Sequence, residues 1–189
     1  ELARKGVVVV SVGQRLNIFG FLTLPCLWEE QGENGCNFGL MDEVKALDWV
    51  YENIAAFGGD PENITIGGQS GGTIKTGALA ASPAQKGRVK RVIQQSMLCW
   101  ITSFPTREEE AEKAQKYLES IGIDPGLPVE KLRKLPYSAL LRKSQVVGSD
   151  NGPRLPGSIV YDKALVPFAD MRESVEKYAS QCDYLTGIN

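Results

Sequence analysis

Histidine is absent from all 189 residues. That excludes every mechanism in which an imidazole of these residues acts as base, acid or metal ligand. A self-contained Ser-His-Asp, Cys-His or His-metal centre is therefore ruled out. Cysteine is sparse: Cys26, Cys36, Cys99 and Cys182 are far apart and form no C-x-x-C. Neither a zinc knuckle nor a thioredoxin-like pair is suggested. Cys26 and Cys36 fit either a small disulfide loop or buried free thiols. No run approaches the roughly 18 apolar residues of a spanning helix, so no membrane span is expected. Excess positive charge is missing too. Twenty-one basic against 23 acidic residues leave a net charge of -2, which gives no argument for a nucleic-acid or anionic-membrane partner. No secretory leader or initiator Met opens the sequence, so these residues are expected to lie inside a longer protein. Compartment and oligomeric state are not legible.

What is present is enough for a core: 42% of residues are hydrophobic and 23% charged. Val7-Val8-Val9-Val10-Ser11-Val12 reads as a fully buried strand of a parallel sheet. A loop with Gly13, Gly20 and Pro25 is expected next, then a polar surface loop over 31–37. Leu40, Val44, Leu47, Tyr51 and Ile54 form one stripe at helical spacing. Asn37 is its expected N-cap, with Asp42 and Glu43 in the first turn and Gly58-Gly59 at the end. Ile64-Thr65-Ile66 is a short strand, 71–81 a helix and 89–95 a second buried strand. A capping box, Thr106 with Glu109, opens a helix with the stripe Ala111, Ala114, Leu118, Ile121. One or two short helices over 131–144, a loop over 148–156, a helix over 168–179 and a strand from Tyr184 complete the pattern. Strands alternating with helices predict an α/β fold with a mostly parallel central sheet flanked by helices.

The strand at 64–66 runs through Gly67 into Gly68-Gln69-Ser70-Gly71-Gly72 and then a helix. This is G-x-S-x-G in the strand–turn–helix context that the motif needs. A nucleophilic serine at the top of a sheet must sit on a sharp turn, and close approach of the neighbouring segments demands very small residues at Gly68 and Gly72. The following helix aims free N–H groups at the reacting atom, so the Gly71 N–H is the candidate oxyanion donor and Ser70 the candidate nucleophile. Competing motifs fail. A phosphate loop would need Lys where Thr73 stands, and G-x-G-x-x-G does not fit. Ser174-x-x-Lys177 and Lys75-Thr76-Gly77 stand in the reverse of the serine–lysine acyl-enzyme order.

The longer stretch carries a resemblance. Gly35-Cys36-Asn37-Phe38-Gly39-Leu40-Met41-Asp42-Glu43, Ala46-Leu47-Asp48-Trp49-Val50, Glu52-Asn53-Ile54-Ala55-Ala56-Phe57-Gly58-Gly59-Asp60-Pro61, Asn63-Ile64-Thr65-Ile66 and the serine turn are similar to type-B carboxylesterases, the cholinesterase-like family of α/β-hydrolases. Arg15-Leu16-Asn17-Ile18-Phe19-Gly20-Phe21-Leu22, Ser82-Pro83 and Gln95-Ser96 match too. The similarity is clear over 7–96 and looser beyond.

The resemblance implies a serine esterase acting on a small-molecule ester through an acyl-enzyme, without metal or cofactor. It implies that 1–189 is an internal part of one α/β-hydrolase domain, truncated at both ends. The catalytic acid, histidine and upstream oxyanion loop would then lie outside, and the piece alone would be inactive. Gly187-Ile188-Asn189 resembles the strand end that precedes the family's acid. Gln69 replaces the Glu common before the serine, which weakens the analogy with choline-ester specificity; with Gly13-Gln14 where Asn-Tyr is common before the arginine and Met97 for a usual glycine, the resemblance favours a bacterial-type general esterase over an animal cholinesterase. Gln69 is a candidate substrate contact. Trp100 lies near the family's acyl-pocket aromatic, with core packing as its alternative. Arg15, Asp42 and Glu43 read as ion-pair or capping residues. A non-catalytic, cholinesterase-like interaction module is the alternative function.

Overall fold

The computed structural model describes residues 1–32, 35–97, 103–141 and 156–188. Its centre is a three-stranded parallel sheet: β1 (Ile64–Gln69), β2 (Val89–Gln95) and β3 (Asp183–Gly187), in spatial order β1-β2-β3. β-Branched residues and short glycine-bounded runs favour these strands. Parallel pairing puts all three C-terminal ends at one edge, with Gln69 beside Gln95 and Gln95 beside Gly187.

Eight α-helices are described: α1 (Asn17–Phe21), α2 (Pro25–Gln31), α3 (Phe38–Asn53), α4 (Gly71–Ala80), α5 (Arg107–Ser120), α6 (Val129–Leu132), α7 (Tyr137–Leu140) and α8 (Met171–Tyr178). The α3 stripe packs as its spacing demands. Leu40 and Leu47 are buried, and Val44 and Tyr51 lie against the same core as β1, β2 and α4. A left-handed Gly58 (φ 80°) closes the 3-10 turn that follows. The α5 capping box forms: Glu109 N donates to Thr106 Oγ1 at 3.2 Å, and Thr106 N donates to Glu109 Oε2 at 2.8 Å. The buried face of α5 joins Leu24 and Leu132 in a second apolar cluster.

Several expectations are corrected. Residues 7–12 belong to no strand, and their valines are 42–58% exposed. Among the described residues no strand pairs with them, so they form one wall of a groove of ≈ 730 Å³ whose other walls include β1, α3 and α4. The expected loop after Gly13 contains α1 and α2, and Pro25 occupies the first turn of α2, where its missing N–H costs nothing. Residues 35–37 are buried instead of forming part of a surface loop. Asn37 stands at the N-cap position of α3, but its side chain does not cap the helix. It donates to Val160 O at 2.9 Å and accepts from Val160 N at 3.1 Å. Asp42 and Glu43 lie beyond the first turn of α3, and α8 starts at Met171 rather than 168. Cys26 and Cys36 are not bonded to each other. Among the described residues no helix is long and apolar enough to cross a membrane.

Candidate active site

The candidate site lies at the aligned strand ends. β1 ends at Gln69, Ser70 turns the chain, and α4 begins at Gly71. Ser70 has φ 54° and ψ -118°, a positive-φ conformation rarely adopted by a side-chain-bearing residue. Its residue is exposed. Three hydrogen-bond donors hold this strained turn. Ser70 N donates to Gln95 O at 2.9 Å, and Thr73 N donates to Ser70 O at 2.8 Å. The buried Thr73 hydroxyl lies 2.9 Å from Gln95 O and 3.0 Å from Gly68 O.

The glycine requirement divides unequally. A Cβ on Gly68 would meet Gly72 O at 2.3 Å, a backbone clash with no soft escape. A Cβ on Gly72 would meet nothing within 4 Å, so the expected small-residue requirement there is corrected. It is the main chain of Gly72, not its lack of a side chain, that crowds Gly68. Gly71 occupies the first helical position, where an α-helix offers its N–H no intrahelical acceptor. Gln69 is exposed beside Ser70. Trp100, together with Cys99, lies outside the described residues.

Two adjacent carboxylates of α3, Asp42 and Glu43, stand in different environments. Arg15 clamps Asp42 with Nη2 to Oδ1 at 2.7 Å and Nε to Oδ2 at 2.9 Å, which holds that carboxyl below its ordinary range. Glu43 forms no such pair. Burial pushes its carboxyl up to about 7, against the opposing pull of Lys75 and a Gln14 hydrogen bond. Sequence reading missed two neighbours of the turn. Thr73 was legible only as a helix residue, although its place three positions after Ser70 puts it beside the strand ends. Lys75 read as a solvated helix face. It is half-buried, with Nζ 5.8 Å from the Phe21 ring centroid. Its spacing of four from Gly71 was the available signal. Ser174 of the discarded S-x-x-K is buried in α8, and Lys177 instead faces the Phe168 and Tyr178 rings. Among the described residues no three His, Cys, Asp or Glu side chains converge on a metal-sized site.

A parallel sheet flanked by helices, with a strained serine between a strand end and a helix start, is the architecture of the α/β-hydrolases. All 189 residues match the Carboxylesterase family, and the chain belongs to that family. It is 39% identical over 143 residues to a para-nitrobenzyl esterase of Bacillus subtilis (strain 168), covering 75% of this chain and 28% of that protein. A bile salt-activated lipase of Rattus norvegicus is 32% identical over 201 residues, covering 100% of this chain and 31% of the relative. Among solved structures, a Geobacillus stearothermophilus carboxylesterase superposes with a TM-score of 0.83 at 36% identity, covering 98% of this chain and 38% of that one. The chain thus spans between 28% and 38% of the length of these relatives.

Proposed function

We propose that the whole protein is a serine hydrolase of small-molecule carboxylic esters, with Ser70 as nucleophile. The observation that carries this reading is the exposed Ser70 at φ 54°, immediately before the helix that presents the Gly71 N–H. Ser70 Oγ attacks the ester carbonyl while a base takes its proton. The carbonyl oxygen becomes an oxyanion, and the Gly71 N–H donates to it. Collapse of the tetrahedral intermediate breaks the bond to the alcohol oxygen, which leaves with the proton. Water then attacks the acyl-serine and frees the carboxylic acid. Since these residues contain no histidine, an imidazole base comes from elsewhere in the protein. Gln69 borders the reacting serine from β1, and Trp100 is retained as a candidate acyl-side contact.

The test uses the full-length protein and p-nitrophenyl acetate. Ser70→Ala should lower kcat by about 10⁴-fold or more, and a fluorophosphonate should label Ser70. Residues 1–189 alone should hydrolyse the ester barely faster than buffer. Unchanged turnover in Ser70→Ala would remove Ser70 from the mechanism.

A further inference from the structure

A second cavity, of ≈ 340 Å³, opens beside the serine turn and includes both Gly71 and Lys75 in its lining. Phe21, Phe104, Pro105 and Ile159 form apolar walls. Gly71 and Lys75 are four residues apart and therefore share one face of α4. Their separation along the helix axis is about 6 Å.

Lys75 is an unusual residue for this cavity's lining. Lys75 is half-buried with Nζ near the Phe21 ring. Among the described residues it makes no salt bridge. Glu43 on α3 feels its charge across space, but burial keeps that carboxyl close to half-protonated at neutral pH, so it is an incomplete counter-ion. Asp42, the other nearby carboxylate acting on Glu43, is already held by Arg15. A cation among apolar walls gains most from a partner that brings one negative charge and an apolar stem. A single ammonium matches a monoanionic carboxylate better than a phosphate dianion, which would remain half-compensated.

We propose that this cavity is a subsite for carboxylate-bearing esters, in which Lys75 Nζ binds the carboxylate while the scissile carbonyl oxygen lies at the Gly71 N–H. This rests on the Ser70 reading and adds the substrate class to it. Gly71 and Lys75 stand about 6 Å apart along the helix axis, a separation on the scale of a short dicarboxylic half-ester.

The experiment compares kcat/KM of the full-length enzyme within two substrate pairs. Mono-p-nitrophenyl glutarate against p-nitrophenyl methyl glutarate places the charge on the acyl side. 4-Acetoxybenzoate against its methyl ester places it on the alcohol side. The charged member of one pair should be favoured by about 10-fold or more, as a charge-assisted hydrogen bond supplies. Lys75→Met should bring that ratio close to one, and Lys75→Arg should retain most of it. Lys75→Gln serves the same purpose should Lys75→Met fail to fold. Wild-type ratios of one or below in both pairs would overturn the proposal, as would a preference that survives loss of the ammonium. Fluorophosphonate labelling separates the two readings. A labelled Ser70 without charge preference removes the subsite alone. An unlabelled Ser70, with activity surviving in Ser70→Ala, removes the nucleophile assignment beneath it.

Discussion

Asn37 Nδ2 donates to Asp162 Oδ2 at 2.7 Å, joining two buried side chains 125 positions apart in sequence. Asp162 Oδ1 in turn accepts from the backbone N–H groups of Ala164 and Val166, at 2.9 and 2.8 Å. Burial raises the Asp162 carboxyl above its ordinary range despite these donors. The network staples the start of α3 to the segment at 160–166. Asn37→Ala would strand the Val160 amide and carbonyl and one Asp162 oxygen together. We expect a loss of about 3 kcal/mol, read as a lower urea midpoint at unchanged slope.

Gly68→Ala tests the close approach at the serine turn. Its Cβ would press on the Gly72 main chain, so β1 and α4 must separate. A loss of about 2–4 kcal/mol is expected, together with slow fluorophosphonate labelling of Ser70. Gly72→Ala, with open space around its Cβ, should cost less than half as much. Equal losses for the two variants would contradict this division.

Thr73→Val keeps the shape of the side chain and deletes the hydroxyl that contacts Gln95 O and Gly68 O. A cost of about 1–2 kcal/mol is expected, with Thr73→Ser recovering most of it. If the contact also positions Ser70, labelling by a fluorophosphonate slows in Thr73→Val and returns in Thr73→Ser.

Glu43 makes stability depend on pH with an uncommon sign. Its folded-state carboxyl titrates at about 7, above the ordinary 4.5. Between those values the unfolded chain releases the proton and the folded one keeps it, so ionisation favours unfolding. Stability contributed by this group is flat below about 4.5, falls as pH rises to 7, and is flat again above. The full drop is about 3 kcal/mol. Glu43→Gln should remove that fall, seen as the difference between wild-type and variant melting curves at pH 5 and pH 8. Parallel curves at both pH values would show that Glu43 ionises freely.

Much of this was legible because local chemistry decides it. The α3 stripe, the capping box at Thr106, the two strands flanking α4 and the G-x-S-x-G turn each rest on residues close in sequence. The valine run at 7–12 misled for a physical reason. β-Branched composition favours a strand but does not supply the neighbour that a strand must bond to. Asn37 misled in a related way: a good capping residue met a better partner from 125 positions away. The role of Lys75 was hidden because spacing along a helix does not reveal what faces it. Its cavity is lined by Phe104, Pro105 and Ile159, which come from distant segments.

The turn at Ser70 is tied to β2 through the Gln95 carbonyl oxygen, which receives both the Ser70 amide and the Thr73 hydroxyl. That oxygen belongs to the main chain, and the residue that carries it is exposed. Evolution can therefore rewrite the side chain at position 95 without disturbing the anchor. Sequence drift at this strand tip is cheap, while a one-residue slip of β2 would unmoor the serine.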